Sequence, residues 1–146
     1  IRCMLRNMNR VFVVVLLILL AVIAGIFLYL YFTTVSIPRI DELIIIDYPK
    51  PNAIIGSPLK VSGQARGNWY FEASAPVKIV DDLNNVLGVK YITAQGDWMT
   101  TDFVPFLGEI EFAAPNTPAG KVIFQKDNPS GLPENDRSVE ISVRFR

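Results

Sequence analysis

Few side chains in this sequence have the means to do covalent chemistry. There is no histidine, and the single cysteine is Cys3. That scarcity excludes Ser-His-Asp and Cys-His nucleophile systems, zinc sites built from His and Cys, and any disulfide within the chain. What remains is carboxylate chemistry. Asp97 and Asp102 stand five residues apart around Trp98. A glycosidase needs two such groups facing each other across a sugar, about 5–9.5 Å apart, and nothing in this spacing sets that up. Ser57, Lys60 and Ser62 could be drawn as a Ser-Lys system, but alternation puts Lys60 and Ser62 on one polar strand face, where solvation is the expected role. Catalysis is not expected, and nothing calls for a cofactor.

Binding residues are easier to find. Asn68-Trp69-Tyr70-Phe71-Glu72 is an aromatic cluster, and Trp98 is a second aromatic site. Trp and Tyr faces stack on ligands and are enriched in binding hot spots. Taken as a strand, the segment puts Trp69 and Phe71 on one face and Tyr70 on the other. Core packing is then expected for Trp69 and Phe71, Tyr70 is left open, and Trp98 goes to core or rim. Trp69, Tyr70 and Trp98 form the candidate ligand-binding set. The polar loop 126–137 carries Asp127, Glu134 and Asp136 with Asn128 and Asn135. These oxygens could ligate calcium, but the spacing is not that of an EF-hand, and Asx side chains commonly cap turns. Turn-stabilising roles are the expectation and calcium the alternative.

The elements that must position these residues begin with an apolar run. Val11 to Phe32 holds 22 residues without a charge, about 33 Å as a helix against a hydrocarbon core of about 30 Å. Tyr29, Tyr31 and Phe32 sit at its end, where aromatic rings favour the interface. Arg2, Arg6 and Arg10 precede it with no acid among residues 1–10, so the positive-inside rule keeps that tail cytoplasmic and sends the remainder outward. The expectation is a single-pass protein of the plasma (inner) membrane, with the lipid bilayer as one partner. A cleaved signal peptide is the alternative, because Val22-Ile23-Ala24 before Gly25 passes as a cleavage site. The apolar run continues eight residues past Ala24, however, and signal h-regions are about 7–15 residues long. The chain opens on Ile1 rather than Met, which leaves room for further native residues or an unusual start codon.

Beyond the run, residues 33–42 read as a stalk and 43–146 as one domain. Leu43–Ile46 suits a first strand, and Pro49–Asn52 a turn. Leu59, Val61, Gly63 and Ala65 alternate with Lys60, Ser62, Gln64 and Arg66. Val77 and Ile79 lead through Asp82–Asn85 into Val86–Ile92, a predicted hairpin. Gly108, Ile110 and Phe112 alternate with Glu109 and Glu111, and Lys121–Lys126 is another short run. Val139, Ile141, Val143 and Phe145 face inward at the end. About seven to eight strands, with no convincing amphipathic helix, predict an all-β immunoglobulin-like β-sandwich of about 100 residues behind one transmembrane α-helix, with a small barrel as alternative.

Several motifs then resemble a known family. They are Pro51-Asn52-Ala53-Ile54-Ile55-Gly56-Ser57-Pro58-Leu59, Val61-Ser62-Gly63-Gln64-Ala65-Arg66-Gly67, Trp69-Tyr70-Phe71-Glu72-Ala73, Gly96-Asp97-Trp98-Met99 with Phe103, and Lys126-Asp127-Asn128-Pro129-Ser130-Gly131. In this order, over about residues 43–146, they resemble the bacterial immunoglobulin-like domain associated with spore germination proteins, the GerM-associated type. The resemblance implies an immunoglobulin-like sandwich outside a bacterial membrane, in a family regarded as non-catalytic interaction modules. Members often sit beside other extracytoplasmic domains. This chain carries the domain behind an apolar run, so the germination role is not expected to transfer.

Charge narrows the partners. The chain's 14 basic and 14 acidic residues balance, so setting aside the three arginines of the tail leaves the remainder acidic by three. Nucleic acid is not an expected partner of such a surface. The expected function is non-catalytic recognition of an envelope protein, or of a cell-wall or glycan polymer. The alternative is a structural or assembly subunit of a larger envelope complex. There the helix itself would pack through Ala21, Ala24 and Gly25.

Overall fold

Period-two alternation decides which face of each strand is buried, and β3 (Leu59–Arg66) shows it most cleanly. Leu59, Val61, Gly63 and Ala65 are buried, while the residues between them are exposed or half-exposed. The computed structural model describes residues 16–27 and 42–146. Its eight strands are β1 (Ile44–Tyr48), β2 (Ala53–Ile55), β3, β4 (Ser74–Asp81), β5 (Val86–Ala94), β6 (Phe103–Ile110), β7 (Ala119–Gln125) and β8 (Ser138–Phe145). The expected hairpin is β4–β5, antiparallel with Val77 opposite Lys90. The strand expected around Gly108 starts earlier, at Phe103. In β8 the inward residues are the expected ones, but only Val143 is fully buried.

The strands hydrogen-bond as one sheet in the order β1-β3-β6-β5-β4-β7-β8-β2. This refines the expected sandwich, because hydrogen bonding passes from one half to the other through a corner. There β5 meets β6 only at Thr93 opposite Leu107 and Ala94 opposite Phe106. With so short a ladder the sheet curls, and its halves face each other. Phe106 of β6 meets Phe124 of β7 with ring centroids 5.9 Å apart. Around that contact lie Val61, Ala65, Val104 and Ile110 from one half and Val77, Ile79, Val122 and Val143 from the other. The expected alternative, a closed barrel, is not formed: β1 and β2 end the strand order and do not pair with each other. Between them the chain crosses from one half to the other, pairing antiparallel with β3 and then parallel with β8.

A helix, α1, is described over 16–27, and its twelve residues are all exposed. Twelve residues rise about 18 Å, and among the described residues no helix is long and apolar enough to cross a membrane. The rest of the predicted span, the tail with Arg2, Arg6 and Arg10, and the stalk up to residue 41 lie outside the described residues.

Two close-packed positions hold the domain to this geometry. A Cβ on Gly63 would fall 2.7 Å from Phe106 Cζ and nearer still to the Ile45 carbonyl oxygen, so only glycine lets β1 and the Phe106 ring approach β3 together. Asp81 is the one buried charged residue among those described, with 1% exposure. Its carboxylate accepts hydrogen bonds from the backbone N–H of Leu83 (2.9 Å) and Asn85 (2.8 Å) and from the Asn85 amide (2.9 Å). It thereby closes the β4–β5 turn, in which Asn84 takes a φ of 61°.

Two outcomes are expected. Gly63→Ala should lower stability by ~1–3 kcal/mol through overpacking, seen as a lower urea midpoint. Asp81 has its pKa held below the ordinary 3.8, chiefly by the Asn85 side chain and despite burial. Its contribution is therefore complete above about pH 4 and lost as acid titrates the folded carboxyl. Acid unfolding followed by circular dichroism should show a shallower acid limb for Asp81→Asn than for the parent.

Candidate functional site

A β-bulge turns an aromatic ring outward on β1. Ile44 and Ile46 lie opposite Ala65 and Gly63 on the inner face, and unbroken alternation would carry Tyr48 inward with them. A register shift between Ile46 and Tyr48 instead places Tyr48 opposite Ser62, on the outer face. Bulges re-aim side chains in this way because the extra residue shifts the side-chain parity by one. Tyr48 is consequently 41% exposed.

The same outer row continues across the sheet, with Ser62 opposite Leu107 and Leu107 opposite Thr93. Together these residues border a shallow concavity of about 820 Å³, lined by Tyr48, Lys60, Ser62, Thr93, Gln95, Leu107 and Glu109 over a floor of Val61 and Gly108. Leu107 is 55% exposed. Gln95 donates to its neighbour's carbonyl, Thr93 O, at 3.0 Å. Among the described residues, no hydrogen bond or ion pair engages the side chains of Lys60, Ser62, Thr93 or Glu109. The site thus offers one ring, one aliphatic side chain and a set of uncommitted polar groups.

The aromatic segment behaves differently from a strand. Gly67–Trp69 forms a single 3-10 turn, and the chain then reverses at Glu72 and Ala73, with φ of 48° and 61°. Phe71 and Ser74 bond to each other across that reversal (2.9 and 3.0 Å). Trp69 and Tyr70 are therefore both buried, at 0% and 4% exposure, and Phe71 is turned out to 43%. This corrects the expectation that Trp69 and Phe71 share the core. It also removes Trp69 from the ligand-binding set, because its faces are enclosed. Its indole N–H finds no acceptor among the described residues, so Trp69 serves the core by volume.

Tyr70 and Trp98 do come together, along a hollow of about 400 Å³ shared with Met99 and Thr101. Trp98 is half-buried against the core. Asp97 accepts the Met99 N–H at 3.0 Å, and the Asp102 N–H donates to Thr100 Oγ1 at 3.2 Å. Both acids belong to one exposed turn rather than to opposite walls of a cleft. Ser57 sits apart from Lys60 and Ser62, its hydroxyl accepting the Phe112 N–H at 3.0 Å.

The structure does not gather Asp127, Glu134 and Asp136. Among the described residues no cluster of three metal-binding side chains occurs. The loop bonds to itself instead. Asn128 donates to Asp136 Oδ1 (2.7 Å) and Leu132 O (2.8 Å), Ser130 to Asn128 (2.6 Å), and Arg137 to the Glu134 carbonyl (2.9 Å).

Sequence reasoning missed Tyr48 and Leu107. The bulge has no sequence signature beyond Asp47 interrupting the isoleucine run, and Leu107 falls in the half of β6 that alternation did not detect.

Burial pushes the Tyr70 hydroxyl up to about 12, against a smaller opposing pull from the Ala65 backbone. The hydroxyl donates to the Val104 carbonyl at 2.8 Å. A folded value above the ordinary one of about 10 means that stability is intact below about pH 10 and is lost as pH rises toward 12. Tyr70→Phe should remove that alkaline loss and cost about 1 kcal/mol at neutral pH for the missing hydrogen bond. Urea midpoints of the two proteins across the alkaline range check this.

Compared with known proteins, residues 43–131 match a family model described as the immunoglobulin-like domain of bacterial spore germination. No curated protein matches, and no solved structure does.

Proposed function

Because the chain belongs to the family of immunoglobulin-like domains of bacterial spore germination, we propose that it is a non-catalytic recognition module carried on a membrane anchor. Residues 11–32 hold it in the bilayer, with Arg2, Arg6 and Arg10 on the cytoplasmic side. The β domain stands outside, facing envelope proteins and wall polymers. The uncharged length of the run and the one-sided arginines support the anchor. The placing of Asp97 and Asp102 on one exposed turn, and the engagement of the Ser57 hydroxyl with the Phe112 N–H, support a role without catalysis. Nothing in this reading requires a germination setting.

The observation that carries the recognition role is the outer concavity bordered by Tyr48 and Leu107. Binding surfaces are commonly presented by a rigid scaffold with a few exposed anchors and adjacent polar groups, and here the scaffold is the curled sheet. Leu107 is opposite Ser62 and Thr93 and contributes to the surface rather than to the core. Leu107→Glu should leave the melting temperature within a few degrees of the parent, since exposed substitutions usually change stability by about 0.5 kcal/mol or less. The test presents the full chain, in sugar-free nanodiscs, with purified wall polymer and with solubilised envelope proteins. Saturable binding to one of them, weakened about tenfold or more by Leu107→Glu, is expected. Binding that ignores Leu107→Glu but disappears when 11–32 is exchanged for a generic apolar span would replace this reading with an assembly role for the helix.

A further inference from the structure

The lining of the Tyr48–Leu107 concavity identifies a class of ligand. β3 and β6, which form its floor, each have a strand neighbour on both sides, so a ligand lying on that floor meets side chains rather than a backbone edge. Those side chains are unlike the centre of a protein–protein interface, which concentrates aromatic and aliphatic groups and is depleted of Lys and Glu. Here one ring and one leucine are surrounded by two hydroxyls (Ser62, Thr93), an ammonium (Lys60) and a carboxylate (Glu109).

That combination is complementary to a sugar. A pyranose ring has an apolar C–H face that stacks on an aromatic ring, and hydroxyl edges that both donate and accept hydrogen bonds. Charge decides between sugars. The chain beyond the tail is acidic by three, from 14 acids and 14 bases with three of the bases in the tail. Both signs also occur in the concavity itself, so a polyanionic wall polymer is disfavoured there. The depression is shallow and open along the sheet, which suits a polymer lying across it. The register shift that turns Tyr48 outward has this stacking surface as its consequence.

We propose that the outer face of β1, β3, β6 and the end of β5 binds an uncharged glycan strand, with Tyr48 as the stacking platform and Ser62, Thr93 and Glu109 bonding the sugar hydroxyls. This rests on the recognition reading above and names its ligand class.

The test is calorimetric titration of the full chain in sugar-free nanodiscs with N-acetylglucosamine oligomers. Separate titrations use a poly(glycerol phosphate) and the proteins of the envelope fraction. Saturable oligosaccharide binding is expected, growing tighter with oligomer length. Tyr48→Ala should weaken it about tenfold or more, and Tyr48→Phe, which keeps the ring, should retain it. Thr93→Arg is an exposed substitution that fills the concavity without touching the core, and it should block binding even if Tyr48→Ala fails to fold. Absence of saturation with any oligomer overturns the proposal, as does equal binding by Thr93→Arg or preference for the polyanion. If oligosaccharides fail while an envelope protein binds in a Leu107-dependent way, the glycan assignment falls and the recognition reading stands. If neither binds, both fall.

Discussion

The contact between Phe106 and Phe124 is the interaction on which the rest of the domain depends. It bridges the two halves of a sheet that is continuous through only two residue pairs at its corner. With Cys3 as the chain's single cysteine, no disulfide ties the halves together, and their attachment rests on apolar burial. That burial is non-directional and scales with area, so it needs tight packing to select one arrangement. Trp69, enclosed at 0% exposure, supplies the largest single volume. Gly63 supplies the opposite, a gap that lets β1 and the Phe106 ring approach β3 at once.

Around this core, irregular backbone does the work of placing residues. The 3-10 turn at Gly67–Trp69 and the reversal at Glu72–Ala73 send two consecutive aromatics inward and the third outward, which no strand could do. Asp81 is buried where its hydrogen bonds to Leu83 and Asn85 replace those it would make to water. Arg66 acts at the start of the domain. It donates to the Glu42 carbonyl (3.2 Å) and the Thr101 carbonyl (3.1 Å), and its guanidinium lies 4.0 Å from the centroid of Phe103. It thereby ties the segment entering β1 to the segment entering β6.

Function follows from which face the irregularities leave available. The aromatic cluster that stands out in the sequence is mostly spent on the core, and the polar loop 126–137 is satisfied within itself. Among the groups left uncommitted are those on the outer face of the first half-sheet, where alternation already puts Lys60 and Ser62 and where the bulge adds Tyr48. The side chains of such a surface are held in place by their strands, so which of them face outward depends on the register of β1 against β3.

Much of the fold was legible in the sequence because alternation is a local signal. Leu59 to Ala65, the β4–β5 hairpin and the terminal strand each declare their inner face by period two, and the family motifs place the same strands in order. The apolar run Val11–Phe32 and its flanking arginines are likewise properties of composition. Other features depend on contacts between residues far apart in the chain. The curl at Thr93 and Leu107 is a matter of how much ladder two strands share. The enclosure of Tyr70 depends on Val104, 34 residues away. The scattering of Asp127, Glu134 and Asp136 depends on which partners the loop finds. Tyr48 shows the division most clearly. Its sequence neighbours predict an inward residue, and one unpaired residue in the ladder with β3 reverses it. Register is set by pairing across strands, so only the tertiary structure could decide which way the ring faces.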